Sequence, residues 1–388
     1  MKKIDRRNFL MLFMATTAGI FLTSCFSRLI AGRAAAGMIS ATAALSGESE
    51  ETDKPADSET VEENSNETGQ EATGDGTGDA KSAGKSGKNP LKSRQSIVGI
   101  AGSGYGHDLG AQVERAVYLA GGLGFIKKGS TVLLKPNFNT GDPNPASTNP
   151  EVIRHVIRLV KKQDPGTILV GDRSSFWTST LRAMEKNGAY NAAVQEGAEP
   201  FPFDNEKWIN VKPFAARSWP NGFKIPEIIK QVDYVISIPV IKTHSIAVFS
   251  MAIKNWVGIL EPLQRTTDLH LSNGSTFGNM LAELNLARVA DFVVMDGTRV
   301  FVDGGPTDGT AVDAGLIVAS SDVIANDTAG LAILKTLGTT AKIKDFSVWQ
   351  QPQIMRAVQL GLGAKSTSEI RINSENVKDI DLIRSNLN

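Results

Sequence analysis

Short apolar runs separated by helical stretches make up the chain from Ile97 onward. Several of these runs are apolar at consecutive positions, which is typical of strands that are covered on both faces of a sheet. The predicted strands are Ile97–Ala101, Thr131–Lys135, Thr167–Gly171, Tyr234–Pro239, Phe292–Asp296 and Leu316–Ala319. The pattern predicts an α/β fold with a parallel or mixed central sheet flanked by helices.

Helical patterns lie between and after the predicted strands. Asn149 followed by Pro150 is one helix start, because an asparagine caps a first turn well and proline suits the first helical position. The predicted helices are Ala111–Ala120, Pro150–Lys162, Thr180–Asn187, Asn279–Val289, Asp322–Leu337, Pro352–Leu360 and Glu375–Leu387. Together these elements predict one α/β domain over residues 96–388.

Residues 1–25 have the pattern of an export signal. Arg6 and Arg7 form a twin-arginine pair ahead of an apolar run that ends at Leu22. This run is too short to cross a hydrocarbon core of about 30 Å as a helix, and it fits the apolar part of a signal peptide. We therefore expect export by the twin-arginine route.

Cys25 is the only cysteine of the chain and follows Leu22-Thr23-Ser24, as in a bacterial lipobox. In a lipobox the thiol receives lipid, so the sequence predicts a membrane anchor on the extracytoplasmic side. The alternative is that Cys25 is an unused thiol in a peptide cleaved after Ala34–Ala36. A single thiol cannot form a disulfide within one chain or hold an iron–sulfur cluster, so no such cluster is expected.

Residues 26–95 are predicted to form a disordered tether, because beyond Gly47 they contain almost no large apolar side chains. Twelve acidic residues lie between Glu48 and Asp79, followed by five basic ones between Lys81 and Arg94. The whole chain has 41 basic and 41 acidic side chains and 6% aromatic residues. This balance excludes nucleic acid as the expected partner, because nucleic-acid binding needs a basic surface.

Polar residues follow the predicted strands, where ligands of open α/β sheets bind. The candidate catalytic residues are His244, Lys242, Asp172 and Asp296. His244 is the preferred proton-transfer group because imidazole titrates near neutrality, and Asp172 or Asp296 would assist it. The same three residues could instead hold a divalent metal, so the identity of any cofactor stays open.

A second set of residues indicates an anionic ligand, either a carboxylate or a phosphate. Lysines in the polar stretches would supply positive charge, and asparagines would orient the ligand. The candidate ligand-binding residues are Lys135, Asn137, Lys254, Asn255 and His270. For His270 the alternative is an ordinary exposed histidine in a loop.

The order of many short motifs resembles domain-of-unknown-function family 362. The matching motifs are Lys135-Pro136-Asn137, Thr148-Asn149-Pro150, Gly171-Asp172, Ile238-Pro239, Lys242-Thr243-His244, Lys254-Asn255, Gly258, His270, Asp296-Gly297, Gly305-Pro306 and Ser321-Asp322 with Asp327. The resemblance covers about residues 97–337 and implies no established reaction. Many members carry a ferredoxin-like domain, whose cysteines this chain lacks.

Three classes of function remain open from the sequence. The first is an exported, membrane-tethered protein that binds an anionic small molecule in a strand-end cleft and acts on it, by an unknown reaction. The second is a surface lipoprotein that captures such a ligand without turnover. The third is an envelope structural protein, for which the polar residues would not cluster.

Overall fold

The expected alternation of strands and helices is present in the structure, a computed structural model that describes residues 95–104, 108–272 and 274–388. These residues belong to one unit, Lys85–Asn388. The predicted signal segment, including Cys25, and the predicted tether up to residue 94 lie outside the described residues.

All six predicted strands are present, and shorter strands accompany them. The strands are β1 (Ser96–Gly102), β2 (Thr131–Pro136), β3 (Thr167–Val170), β4 (Glu199–Pro200), β5 (Trp208–Val211), β6 (Phe223–Pro226), β7 (Tyr234–Ile238), β8 (Val240–His244), β9 (Val248–Ser250), β10 (Phe292–Gly304), β11 (Gly309–Val312), β12 (Leu316–Ser320) and β13 (Ile370–Glu375). In the described part of the chain, eleven of them form one sheet, and β5 and β6 pair separately.

The main sheet is mixed, as expected. Its order is β13-β1-β12-β10-β7-β2-β3-β4, with β8 and β11 attached to β10 and β9 attached to β8. The strands from β10 to β4 are parallel, whereas β12 is antiparallel to both of its neighbours. The carboxyl ends of β2, β3 and β7 therefore meet at one edge of the sheet.

Helices cover both faces of the sheet. They are α1 (Leu109–Leu119), α2 (Pro150–Lys161), α3 (Thr180–Asn187), α4 (Ala189–Gln195), α5 (Ile228–Gln231), α6 (Ala252–Asn255), α7 (Pro262–Gln264), α8 (Gly274–Leu284), α9 (Val323–Leu337), α10 (Ala341–Lys344), α11 (Pro352–Gln359) and α12 (Ile380–Ser385). A π-helical turn, Arg265–Leu269, follows α7. Within the described residues, no helix has both the length and the hydropathy needed to span a bilayer.

Alternating residues of the parallel strands pack into two buried cores, one on each face of the sheet. Leu133 and Val235 point into the core that contains α8, α9 and α11, whereas Val132, Leu134 and Ile236 point into the core beneath α1 and α2. Continuous apolar runs are explained by this double coverage.

Three sequence predictions were wrong in detail. The helix predicted over Asn279–Val289 begins earlier, at Gly274, and ends at Leu284. Residues 375–387 were predicted to be helical throughout, but Glu375 ends β13, and only Ile380–Ser385 is helical.

Lys242 and His244 were predicted to follow the strand Tyr234–Pro239, but they lie in a further strand, β8, which pairs with β10 and β9. The β-branched residues Val240, Ile241 and Thr243 fit a strand. The pairing of β8 with β10 is a long-range contact that local periodicity does not report.

Candidate functional site

A cavity of about 300 Å³ opens where the carboxyl ends of the parallel strands meet. Its volume is at the lower end of the range for small-molecule sites. The structure brings seven of the nine candidate side chains of the α/β domain to its wall: Asn137, Asp172, Lys242, His244, Lys254, Asn255 and His270. Lys135 and Asp296 do not line it.

Lys135 lies beneath the cavity and is fully buried. Its Nζ donates to Asp172 Oδ1 at 2.7 Å and to Asn255 Oδ1 at 3.3 Å. Burial lowers the pKa of Lys135, and the Asp172 charge opposes this shift. Because Asp172 Oδ2 also accepts from the Phe138 N–H at 2.7 Å, both carboxylate oxygens are engaged within the protein. Lys135 and Asp172 therefore form a buried ion pair that supports the floor of the cavity.

Asp296 holds a neighbouring loop rather than facing the cavity. Its Oδ2 accepts from Asn144 Nδ2 at 2.8 Å and from the Asn149 N–H at 2.9 Å, and its Oδ1 accepts from Thr298. Burial raises the pKa of Asp296, while these hydrogen bonds lower it. These hydrogen bonds connect residues 144–149 to β10. Asp296 therefore positions this loop and does not line the cavity.

Lys242 lies in the middle of β8 and is almost fully buried. Its Nζ donates to the carbonyl oxygens of Ala146, at 2.6 Å, and Pro306, at 3.1 Å. Burial lowers the pKa of Lys242 to about 7, against the opposing charges of Asp172 and Asp296. The side-chain amine of Lys242 is therefore protonated below, and neutral above, about pH 7.

Lys254 is carried by α6 and lines the same cavity. No hydrogen bond or ion pair to its Nζ exists among the residues that the structure describes. Burial, followed by the charges of Arg265, Lys242 and Lys135, lowers the pKa of Lys254 well below its usual range. A cationic ammonium at this position therefore needs a ligand to compensate it.

Asn137 and Asn255 differ in how much of their hydrogen-bonding capacity is free. Asn255 Nδ2 donates to the Lys135 carbonyl and to Ser237 Oγ, and its Oδ1 accepts from Lys135 Nζ, so it orients Lys135. Asn137 Oδ1 accepts from the Asn139 N–H at 3.4 Å, and its Nδ2 has no partner in the described part of the chain. Asn137 is thus the asparagine with a donor free for a ligand.

The two histidines of the cavity wall carry their protons on different ring nitrogens. The Nδ1 atom of His244 accepts from the N–H groups of Ile246 and Ala247, each at 3.2 Å, so the proton of the neutral ring lies on Nε2. Burial and then four nearby cationic groups, Lys254 first, lower the pKa of His244 far below its usual range. The expectation that His244 titrates near neutrality is therefore not met, because its ring is a neutral hydrogen-bond donor.

His270 has the complementary arrangement. Its Nδ1 lies 2.5 Å from the Arg265 carbonyl oxygen, which can only accept, so Nδ1 carries the proton and the Nε2 lone pair stays available. Desolvation at the cavity wall, with Arg265 and Lys254, lowers the pKa of His270 to about 4. The free lone pair makes His270 the better proton acceptor of the two rings.

The sequence reasoning missed two arginines of the wall. Arg265, in the π-helical turn, donates to Asn139 Oδ1 at 2.5 Å and to two carbonyl oxygens at residues 173 and 174. Burial lowers its pKa to about 10, at which it remains a cation near neutral pH. Arg173 directly follows Asp172 in the sequence but was not selected as a candidate. The pattern of apolar and polar residues gives no indication of Arg265, because it reaches the cavity only through contacts with residues distant in sequence.

The metal alternative built on Asp172, Asp296 and His244 is not formed. The carboxylates of Asp172 and Asp296 are engaged by protein donors, and Asp296 does not line the cavity. Among the described residues, no three His, Cys, Asp or Glu side chains are grouped to hold a metal ion. Cationic and neutral donors, instead, define the chemistry of this wall.

Comparison with known proteins shows that the cavity lies within a segment that matches a protein-family model. Residues 132–332, more than half of the chain, match the family model described as Domain of unknown function (DUF362), and every residue that lines the cavity lies within that segment. A relative, the Thylakoid-associated protein sll1697 of Synechocystis sp., is 31% identical over 214 residues. The aligned segment covers 53% of this chain and 64% of the relative, which is less than two thirds of the relative's length. The chain belongs to the DUF362 family.

Proposed function

We propose that the chain binds an anionic small molecule, a carboxylate or a phosphate, in the strand-end cavity and acts on it. The excess of basic over acidic side chains on the cavity wall carries this proposal. Lys242, Lys254, Arg173 and Arg265 line the cavity, whereas the only acidic side chain among its described lining residues, Asp172, is paired with Lys135.

The basic side chains of the wall oppose one another's protonation. This repulsion contributes to the lowered pKa of Lys254, after burial. Like charges held together in a cleft are characteristic of functional sites, because the ligand that compensates them supplies the missing stabilisation. A dianion in contact with Lys254 and Arg265 would satisfy both.

The two histidines provide the means to act on the ligand. His270 Nε2 can accept a proton, and His244 Nε2–H can donate a hydrogen bond to an oxygen that gains negative charge. A bound anion offsets Arg265 and Lys254, so it raises the pKa of His270 towards the range in which a base is effective. Ligand binding and base strength are coupled in this way.

We also propose that the protein is exported by the twin-arginine route and tethered to the membrane through Cys25. The spacing of Arg6, Arg7 and Cys25 around one short apolar run supports this proposal. The name of the cyanobacterial relative, which describes association with thylakoids, is consistent with a membrane location.

Inorganic sulfate tests the anion site, because it stays a dianion across the neutral pH range. Isothermal titration calorimetry should detect sulfate binding that weakens between about pH 6 and pH 8. The reason is that Lys242, with its pKa near 7, and Lys254, whose pKa lies well below its usual range, must take up protons to bind the anion as cations. The affinity should fall by up to about tenfold per pH unit for each proton taken up.

Three variants make this test specific. Lys254→Met should weaken sulfate binding at least about tenfold, the scale of one charged hydrogen bond. Lys242→Met should reduce the pH dependence by the contribution of one proton. Lys342→Met, which alters an exposed side chain of α10, should change neither the affinity nor its pH dependence. Absence of sulfate binding, or equal binding by Lys254→Met, would remove the anion site. If a ligand identified in the purified protein is recovered chemically unchanged after incubation, the non-catalytic lipoprotein replaces the enzyme.

A further inference from the structure

Large apolar side chains stand at the opening of the cationic cavity. Phe176, Trp177 and Ile246 line it with 41%, 89% and 60% of their surfaces exposed. Single exposed apolar residues are ordinary, but these come from the loop after β3 and the turn after β8, which both border one cavity. By contrast, Trp219 and Trp256 are almost completely buried.

The loop that carries the two aromatics is held by hydrogen bonds. Arg173 Nη1 donates to the carbonyl oxygens of Ser174, Ser175 and Thr178 at 3.0–3.2 Å. It therefore connects the residues before Phe176 to the residue after Trp177. The Ser175 N–H also donates to the Asn139 carbonyl at 3.0 Å. The rings are therefore presented on an ordered support.

The aromatic pair itself has a defined geometry. The ring centroids of Phe176 and Trp177 lie 4.7 Å apart with an interplanar angle of 79°, an edge-to-face arrangement. This contact restrains the orientation of the indole, while most of its surface stays open to a ligand. An exposed, restrained indole is the kind of surface on which a planar ring stacks.

The cationic floor and the aromatic opening are physically joined. Arg265 donates to the carbonyl oxygens of Arg173 and Ser174, at the start of the loop that presents Trp177. A ligand that contacts both regions needs an anionic group and an apolar planar group next to each other. Neither free phosphate nor a purely apolar molecule offers this combination.

We propose that the ligand is an aryl or nucleoside phosphate, or a carboxylate of similar shape, whose anionic group contacts Lys242, Lys254 and Arg265 and whose ring stacks on Trp177. This proposal rests on the anionic site described above and specifies its ligand class. The same charge and apolar surface exist in a lipid headgroup with its acyl chain. The exposed indole favours a planar ring over an acyl chain as the apolar part of the ligand, because stacking is favourable between flat surfaces.

The test compares three probes with the same charged group: inorganic phosphate, phenyl phosphate and hexyl phosphate. Calorimetry should show phenyl phosphate binding about tenfold more tightly than phosphate and more tightly than hexyl phosphate. Trp177→Ala should abolish this gain and leave phosphate affinity unchanged, whereas Trp177→Phe should retain much of it. Phe214→Ala, which alters a 94% exposed ring that does not line the cavity, is the matched control.

The outcomes separate this proposal from the underlying anion site. If none of the three probes binds, the anion site itself fails. Equal binding of all three keeps the anion site and overturns the ring proposal. A gain for hexyl phosphate as large as for phenyl phosphate, or binding to vesicles of anionic lipid that Trp177→Ala abolishes, assigns the opening to a lipid chain and also overturns it.

Discussion

Gly258 shows how one residue determines the floor of the site. A methyl group built on its Cα would lie 1.8 Å from Asp172 Oδ1 and 2.7 Å from Lys135 Nζ. The Lys135–Asp172 pair is buried, so its two charges depend on direct contact with each other. Only a residue without a side chain lets the backbone pass this close to the pair.

We expect Gly258→Ala to separate Lys135 from Asp172. Breaking a buried ion pair costs about 3–5 kcal/mol, so urea unfolding should show a loss of that order in the free energy of unfolding. Gly124→Ala is the matched control, because no atom lies within 4 Å of the added methyl group and its effect should stay below about 1 kcal/mol. Equal stability of the two variants would contradict the role of the pair.

At the scale of elements, α6 depends on a carboxylate from another helix. The N–H groups of Ala252 and Ile253, in its first turn, donate to Asp327 of α9 at 2.7 and 2.9 Å. Four residues are too few for a stable isolated helix, so this external cap fixes the turn that carries Lys254. Burial, with the Asp322 charge, raises the pKa of Asp327 to about 7, although the two N–H groups lower it.

The titration of Asp327 gives a prediction with a defined sign. Between about pH 4 and pH 7 the folded protein holds a proton on Asp327 that the unfolded chain has released, so the contribution of this group to stability falls as pH rises. The fall is at most about 4 kcal/mol, from 1.36 kcal/mol per pKa unit. The difference in unfolding free energy between wild type and Asp327→Asn, followed by urea unfolding, should decrease across this window.

Asp381→Asn, which removes an exposed carboxylate, corrects for the general loss of one negative charge. A flat or rising difference for Asp327→Asn would show that the buried carboxyl is ionised in the folded protein throughout. Because α6 carries Lys254, Asp327→Ala should also weaken sulfate binding, although Asp327 does not line the cavity.

At the scale of the whole molecule, the binding residues and the sheet edge come from different parts of the chain. The family-matched segment, residues 132–332, supplies the cavity and strands β2 to β12. Strand β1 lies before this segment and β13 after it, and the two pair in parallel at the edge beyond β12. The flanking segments therefore complete the sheet without contributing to the site.

The proposed export and anchoring depend on the part of the chain before this domain. The double substitution Arg6→Lys and Arg7→Lys should leave the protein in the cytoplasm, because lysine does not reproduce the planar guanidinium. Cell fractionation with immunoblotting measures this outcome, and Arg33→Lys serves as the control. Normal export of the double variant would contradict the twin-arginine assignment.

Cys25→Ala should release the processed protein from the membrane fraction. An acyl chain contributes about 0.8 kcal/mol per buried methylene, and no spanning helix is then needed for attachment. Retention of the processed variant at the membrane would require another anchor.

The sequence by itself determined the α/β class, the six main strands and the strand-end position of Lys135, Asn137 and Asp172. These features follow from local pattern, because continuous apolar runs report burial on both faces and polar residues at strand ends meet at one sheet edge. Lys135 and Asp172 could be selected for that reason. The same rule placed Asp296 at the sheet edge, but could not tell that its oxygens hold the 144–149 loop.

The tertiary structure alone decided which groups are free to react. Lys242 lies in a strand, Arg265 reaches the cavity from the π-helical turn, and His244 and His270 carry their protons on opposite nitrogens. Each of these outcomes depends on hydrogen bonds and charges contributed by residues distant in sequence or by the local backbone path. The protonation of a buried group is set by its surroundings in space. Sequence order therefore located the site, and folding determined its chemistry.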